Sequence, residues 1–238
     1  MQLIRNNLMI RTAKCLLIIS TLMQFVACSK NDDNNEQELL IIEESLPVTD
    51  YDGNSYKTIR IGNQIWMAEN LKVTHYADGT PVQSLVYNND NTNQDVYGRL
   101  YTWSAFMRNE AGTNANPGNV QGVAPEGWHI PSDSEWLELI NNLGGVNSAG
   151  GKLKQSGFLH WEEPNTGATD EIGFTALPSG WYDFTGIFGG LGTVCFFATS
   201  TAESQWEMYI RELNNNSSSI ERGGIHPDDA IPVRCVKN

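Results

Sequence analysis

Between Gly127 and Gly145 the stretch GWHIPSDSEWLELINNLGG sets one His, two Ser, one Asp and two Glu within a dozen positions. His129, Ser132, Asp133, Ser134, Glu135 and Glu138 are the residue types of a hydrolytic site: a hydroxyl to attack, an imidazole to take its proton, a carboxylate to orient the imidazole. Such a site needs its groups to converge on one point, and side chains on one helical turn splay around the axis instead. The same residues have a local explanation. Ser132 and Glu135, just after Pro131, have the spacing of a capping box, with the hydroxyl accepting from an early helix N–H and the carboxylate reaching back to the cap. Asp133 adds negative charge at the positive helix end. Trp136, Leu137, Ile140 and Leu143 then recur at helical spacing, and Gly144 is placed to stop the helix. The stretch predicts a capped structural helix.

Other candidate chemistry is dispersed. Glu163-Pro164-Asn165 is the tripeptide with which calcium-dependent lectins bind Ca²⁺ and sugar hydroxyls through oxygen ligands. It lies about seventy residues from the last residue and no Asn-Asp pair follows it, so it reads as a loop. Glu163 and Asn165 are the metal-ligand candidates, calcium the one cofactor to consider. His75, His129, His160 and His226 show no metal-ligand spacing and are expected at the surface or half buried. In LPSGWYDFTGIFGGLGTVCFF, Trp181, Tyr182, Phe184 and Phe188 stand in a Gly-rich setting, with Trp161 upstream. These rings form either a platform for sugar faces or a partner chain, or part of the core. If the loop is pleated, Trp181 is the anchor and Tyr182 the outward residue. GGLG lacks the strand–turn–helix context of a nucleotide fingerprint.

The elements that must position these residues begin after an export segment. Arg5, Arg11 and Lys14 precede the apolar run CLLIISTLMQFVA (15–27), too short to span a bilayer but suited to a signal peptide. The run ends in Ala27-Cys28 and turns at once to SKNDDNNEQE, an arrangement similar to bacterial lipoprotein signals, in which the Cys is acylated. Lys30 and the acids Asp32 and Asp33 resemble the tag that sends some lipoproteins to the outer face of the outer membrane. Residues 1–27 are thus read as the signal, Cys28 as the lipidated residue that ties the chain to a membrane, and 28–48 as an acidic tether. The whole chain carries 15 Lys and Arg against 28 Asp and Glu. Without its signal it loses three bases, for a net charge of about −16 and no basic footprint for nucleic acid. Of the four cysteines, Cys195 and Cys235 remain in an oxidising compartment, where they either pair or stay free. From 49 to 238 the turn signals describe a β-rich domain: strands at Tyr56–Ile61 and Gln64–Met67 about Gly62-Asn63, an Asn-rich loop, and a helix over Leu100–Met107.

The stretch GWHIPSDSEW resembles a signature of the FISUMP-type major paralogous domain family of bacterial surface lipoproteins. The resemblance continues in order through IGNQIWMAENL (61–71), DGTPV (78–82), YGRLYTW (97–103), GGKLKQSG (150–157), GFTALPSGW (173–181), FFATST (196–201) and PVRCVK (232–237). The helix signature is also similar to that of formylglycine-generating-type enzymes. Together these imply an α+β, C-type-lectin-like fold, with antiparallel β-sheets, about two helices and long loops. Many members of the family carry a Cys before the GW pair, where this chain has Ala124, so Cys235 has only Cys195 as a partner. An oxidase of the formylglycine-generating kind would need two nearby redox-active cysteines, and TVCFFATS offers no activating charge. The resemblance implies a lipid-anchored, surface-exposed binding or adhesion module without catalytic activity, taking a glycan or a surface protein. The alternative is a structural or accessory subunit of a surface filament.

Overall fold

The structure, a computed structural model, describes residues 40–238; the signal, Cys28 and most of the proposed tether lie outside them. Strand β1 (Ile42–Thr49) pairs antiparallel with β2 (Ser55–Ile61), beginning at Ile42↔Ile61. β1 thus pairs with β2 ahead of position 49, within the stretch read as a tether. β2 turns through Gly62, whose φ of 59° suits a residue without Cβ, into β3 (Gln64–Met67), with Ile61 opposite Gln64. That hairpin is the one the sequence predicts. The sheet is completed from far along the chain: β10 (Val236–Lys237) lies between β3 and β4 (Trp128–His129), giving the order β1-β2-β3-β10-β4.

The second sheet has the order β6-β5-β7-β8-β9, formed by β5 (Ser179–Tyr182), β6 (Phe188–Leu191), β7 (Val194–Ser204), β8 (Glu207–Asn214) and β9 (Glu221–Ile225). Its pairings are antiparallel except β5 with β7, which meet in parallel at Gly180↔Cys195. β7 is buried on both faces over its first eight residues, as its run VCFFA requires, and exposed at its end. Val194, Phe196 and Ala198 enter one core, while Cys195 and Phe197 enter another. In the second core Trp136 stacks on Phe197 with centroids 5.1 Å apart and meets Trp66 at 4.4 Å.

Among the described residues four α-helices stand where about two were expected: α1 (Thr92–Tyr97), α2 (Trp103–Phe106), α3 (Asp133–Asn142) and α4 (Val146–Leu153). The helix expected over Leu100–Met107 is shorter because Leu100 and Tyr101 bridge Leu85 and Ile231 instead. α4 escapes sequence reading because Gly150 and Gly151 lower its helix propensity. They are there for close approach: a Cβ at either would run into the backbone carbonyl of Ser219 or Gly167. The result is the α+β architecture of largely antiparallel sheets that the resemblance implies.

Candidate functional site

The β5–β6 turn holds two exposed large apolar side chains, Phe184 and Ile187, side by side on the second sheet. Asp183 builds it: its Oδ1 accepts from the Thr185 amide (2.9 Å), the Thr185 hydroxyl (2.6 Å) and the Ile187 amide (3.0 Å). These bonds hold the Asp183 carboxyl below its ordinary range. From the other side Asp229 Oδ1 accepts from the Phe184 amide at 2.8 Å and its Oδ2 from the His226 amide at 3.1 Å. Burial pushes the Asp229 carboxyl up, against those amide bonds. The turn so fixed holds Phe184 62% and Ile187 63% exposed, with the Phe184 ring 4.7 Å from the His226 imidazole. Ile187 carried no sequence signal, and neither did Trp206, 67% exposed on the β7–β8 turn.

The other aromatic candidates fall differently. Trp161 is 1% exposed and its indole N–H donates to the Ala176 carbonyl at 2.9 Å. It belongs to the second core and is no ligand platform, a correction to the sequence expectation. Trp181 is half buried against Phe196, centroids 5.0 Å apart, and a Cβ at Gly190 would collide with its ring. It is the anchor the pleat predicts. Tyr182 is half buried too, at 4.7 Å from Phe188, so the outward position passes to Phe184.

The Glu163-Pro164-Asn165 loop does not fit calcium. Asn165 is buried and its amide donates to the carbonyls of Gln155 and Gly157, leaving Oδ1 without a partner. The carbonyls around it are taken by a cation of the chain's own. Lys154, fully buried, donates from Nζ to the carbonyls of Thr166 (3.0 Å), Asn214 (2.9 Å) and Ser217 (2.7 Å). Burial pulls its ammonium down to about 8. Among the described residues no group of three His, Cys, Asp or Glu is arranged to hold a metal ion.

At the head of α3 the capping box is complete: Ser132 Oγ accepts from the Glu135 amide (3.1 Å) and Glu135 Oε2 from the Ser132 amide (2.9 Å). His129, expected near the surface, is buried with Nε2 2.8 Å from Glu135 Oε1 and Nδ1 2.7 Å from Asn238 Oδ1. Asp133 is engaged elsewhere, 2.6 Å from the buried Arg211. Among the described residues the His129 ring meets Glu135 and Asn238, and the pair with its cap orders the start of α3. Ser132→Ala should lower unfolding free energy by about 1 kcal/mol in urea titrations and leave binding by the folded protein unchanged.

Cys195 and Cys235 are both free and buried. Of the two alternatives left open, a pair or free thiols, the structure has the second: Cys235 enters the first core with Val194 and Phe196, Cys195 the second with Phe197 and Val236. Ala124 lies in the first core with Cys235. Burial raises the Cys195 thiol to about 11, and also raises that of Cys235, so neither is a ready nucleophile.

No described helix is long and apolar enough to cross a membrane. Neither the curated proteins nor the solved structures provide a significant match. The family model described as the Fibrobacter succinogenes major domain matches residues 59–237. That span runs from within β2 through β10 and holds the second core, the first core apart from Tyr56, the capped helix and the β5–β6 turn, and the chain belongs to that family.

Proposed function

We propose that this chain is a lipid-anchored, surface-displayed binding or adhesion module without catalytic activity, and that its contact point is the β5–β6 turn. One observation carries the reading: Phe184 and Ile187 are held out in water by a turn whose backbone is fastened by Asp183 and Asp229. A fastened loop loses little conformational entropy on binding, and an exposed aromatic offers a face to a sugar ring or an apolar partner. The acylated Cys28, read from the sequence, would display that turn at the cell surface.

The double variant Phe184→Ser/Ile187→Ser tests the contact point. Its melting temperature should match the parent's, because neither side chain is buried, while attachment to a glycan array or to surface proteins in a pull-down is lost. Attachment that survives the double change would refute the reading. A glycan hit identifies the ligand class as saccharide, whereas retention of a surface protein alone moves the module to the accessory-subunit alternative. The anchor is tested separately. Cys28→Ser should move the protein from the membrane pellet to the soluble fraction, since acylation is the anchor the sequence provides.

A further inference from the structure

A cleft of about 270 Å³ opens between β1, β2, α1 and the segments around Asn70 and Thr175. Its charged lining is Glu44, Lys57, Glu69, Lys72, Asp95 and Arg234. Three charges of each sign share this space, yet among the described residues none of the six enters an ion pair within 4.0 Å. Their hydrogen bonds show what keeps them apart. Glu69 accepts from the backbone N–H of Lys57 at 2.7 Å, leaving the Lys57 ammonium free of it. Lys72 Nζ donates to the Asp95 backbone carbonyl at 3.1 Å, not to its carboxylate.

Arg234 gives the cleft a buried cationic wall. It is 1% exposed, donates from Nε to Asn70 Oδ1 (2.8 Å) and from its two terminal nitrogens to the carbonyls of Phe174 and Thr175, and lies 4.4 Å over the Phe174 ring. Neutral oxygens and a ring face orient the guanidinium; Asp170 and Glu69 favour its charge from a distance, and among the described residues no carboxylate lies within 4.0 Å of it. Burial pulls it down to about 10. A buried cation with no carboxylate in contact is costly, and a ligand that places one there recovers part of that cost.

We propose that this cleft binds a small zwitterion, a free amino acid or short peptide, with its carboxylate on the Arg234 and Lys72 side and its ammonium against the carboxylates of the rim. Charge balance selects the class. A simple anion meets three carboxylates, a simple cation meets three bases, and a neutral sugar leaves all six charges unused. The volume is near the lower end for ligand pockets, about 300 to 1,000 Å³, which suits a dipeptide better than an oligosaccharide. The site is distinct from the β5–β6 turn and stands independently of it.

The test is calorimetric titration of the full chain in detergent with alanyl-alanine, its N-acetyl derivative and its methyl ester. The free dipeptide should bind at least about tenfold more tightly than either blocked form, a tenfold difference being about 1.4 kcal/mol. Lys72→Ala and Glu44→Ala, both on the solvent side of the cleft, should each weaken it about fivefold with an unchanged melting temperature, and Phe184→Ser/Ile187→Ser should bind it like the parent. Absence of saturable binding, equal affinity for the three probes, or undiminished binding in both single variants would overturn the proposal.

Discussion

Trp161→Ala is expected to cost about 3 to 5 kcal/mol of folding free energy, the range for emptying a large aromatic site in a packed core. The ring is enclosed by the second core, its N–H is satisfied by Ala176, and the Lys154 ammonium lies 5.3 Å from its centroid. Removing it leaves a cavity and takes an apolar wall from a buried cation that has no carboxylate partner. Urea denaturation is the measurement, with Trp161→Phe as the control. The smaller ring keeps most of the packing and loses the hydrogen bond, so it should cost nearer 1 kcal/mol beyond its lost volume. Phe184→Ala should stay within about 0.5 kcal/mol of the parent, as surface changes do. Equal losses for Trp161→Ala and Phe184→Ala would mean that the aromatic faces have been assigned the wrong way round.

That contrast marks where the sequence is readable. The β2–β3 hairpin and the cap of α3 are legible because turn residues, pleat alternation and the Ser–Glu spacing are local signals. Trp161 misleads because it stands in an irregular segment, HWEEPN, with no period to assign its face; that face is set by the second core it joins and by the Ala176 carbonyl that takes its N–H. Lys154 is invisible for a related reason. A lysine in a Gly-rich stretch is expected in water, and its three acceptors come from positions 12 to 63 residues away. The β5–β6 turn was identifiable as an aromatic loop, but which ring faces outward depends on Asp229, 45 residues beyond the Phe184 amide it fixes. The two cysteines show the same limit: separation in sequence says nothing about which core each side chain enters.

The second large effect is expected at Glu135, where a helix cap and a buried ion pair share one carboxylate. Desolvation opposes charge on both partners, yet the short bond to Glu135 raises the His129 imidazole above its ordinary 6.5, and bonds from His129 and the amides of Gly118 and Ser132 lower Glu135 below its ordinary 4.5. Both ring nitrogens face oxygens, which suits an imidazolium. Glu135→Ala strands that buried cation and opens the cap, so it should cost about 3 to 5 kcal/mol. Glu135→Gln keeps the side-chain length and an oxygen for the cap but removes the charge, and it isolates the electrostatic part through pH. In the parent, the contribution of His129 is complete below 6.5 and is lost as pH rises through its raised folded value, because there the native state holds a proton the unfolded state has released. The contribution of Glu135 is complete above 4.5 and is lost as pH falls through its lowered folded value. Urea midpoints measured from pH 4 to 9 should therefore decline above pH 6.5 in the parent, with that decline absent or reversed in Glu135→Gln. A decline of the same slope in both proteins would show that the His129–Glu135 pair carries no net charge coupling and that the carboxylate acts as a helix cap alone.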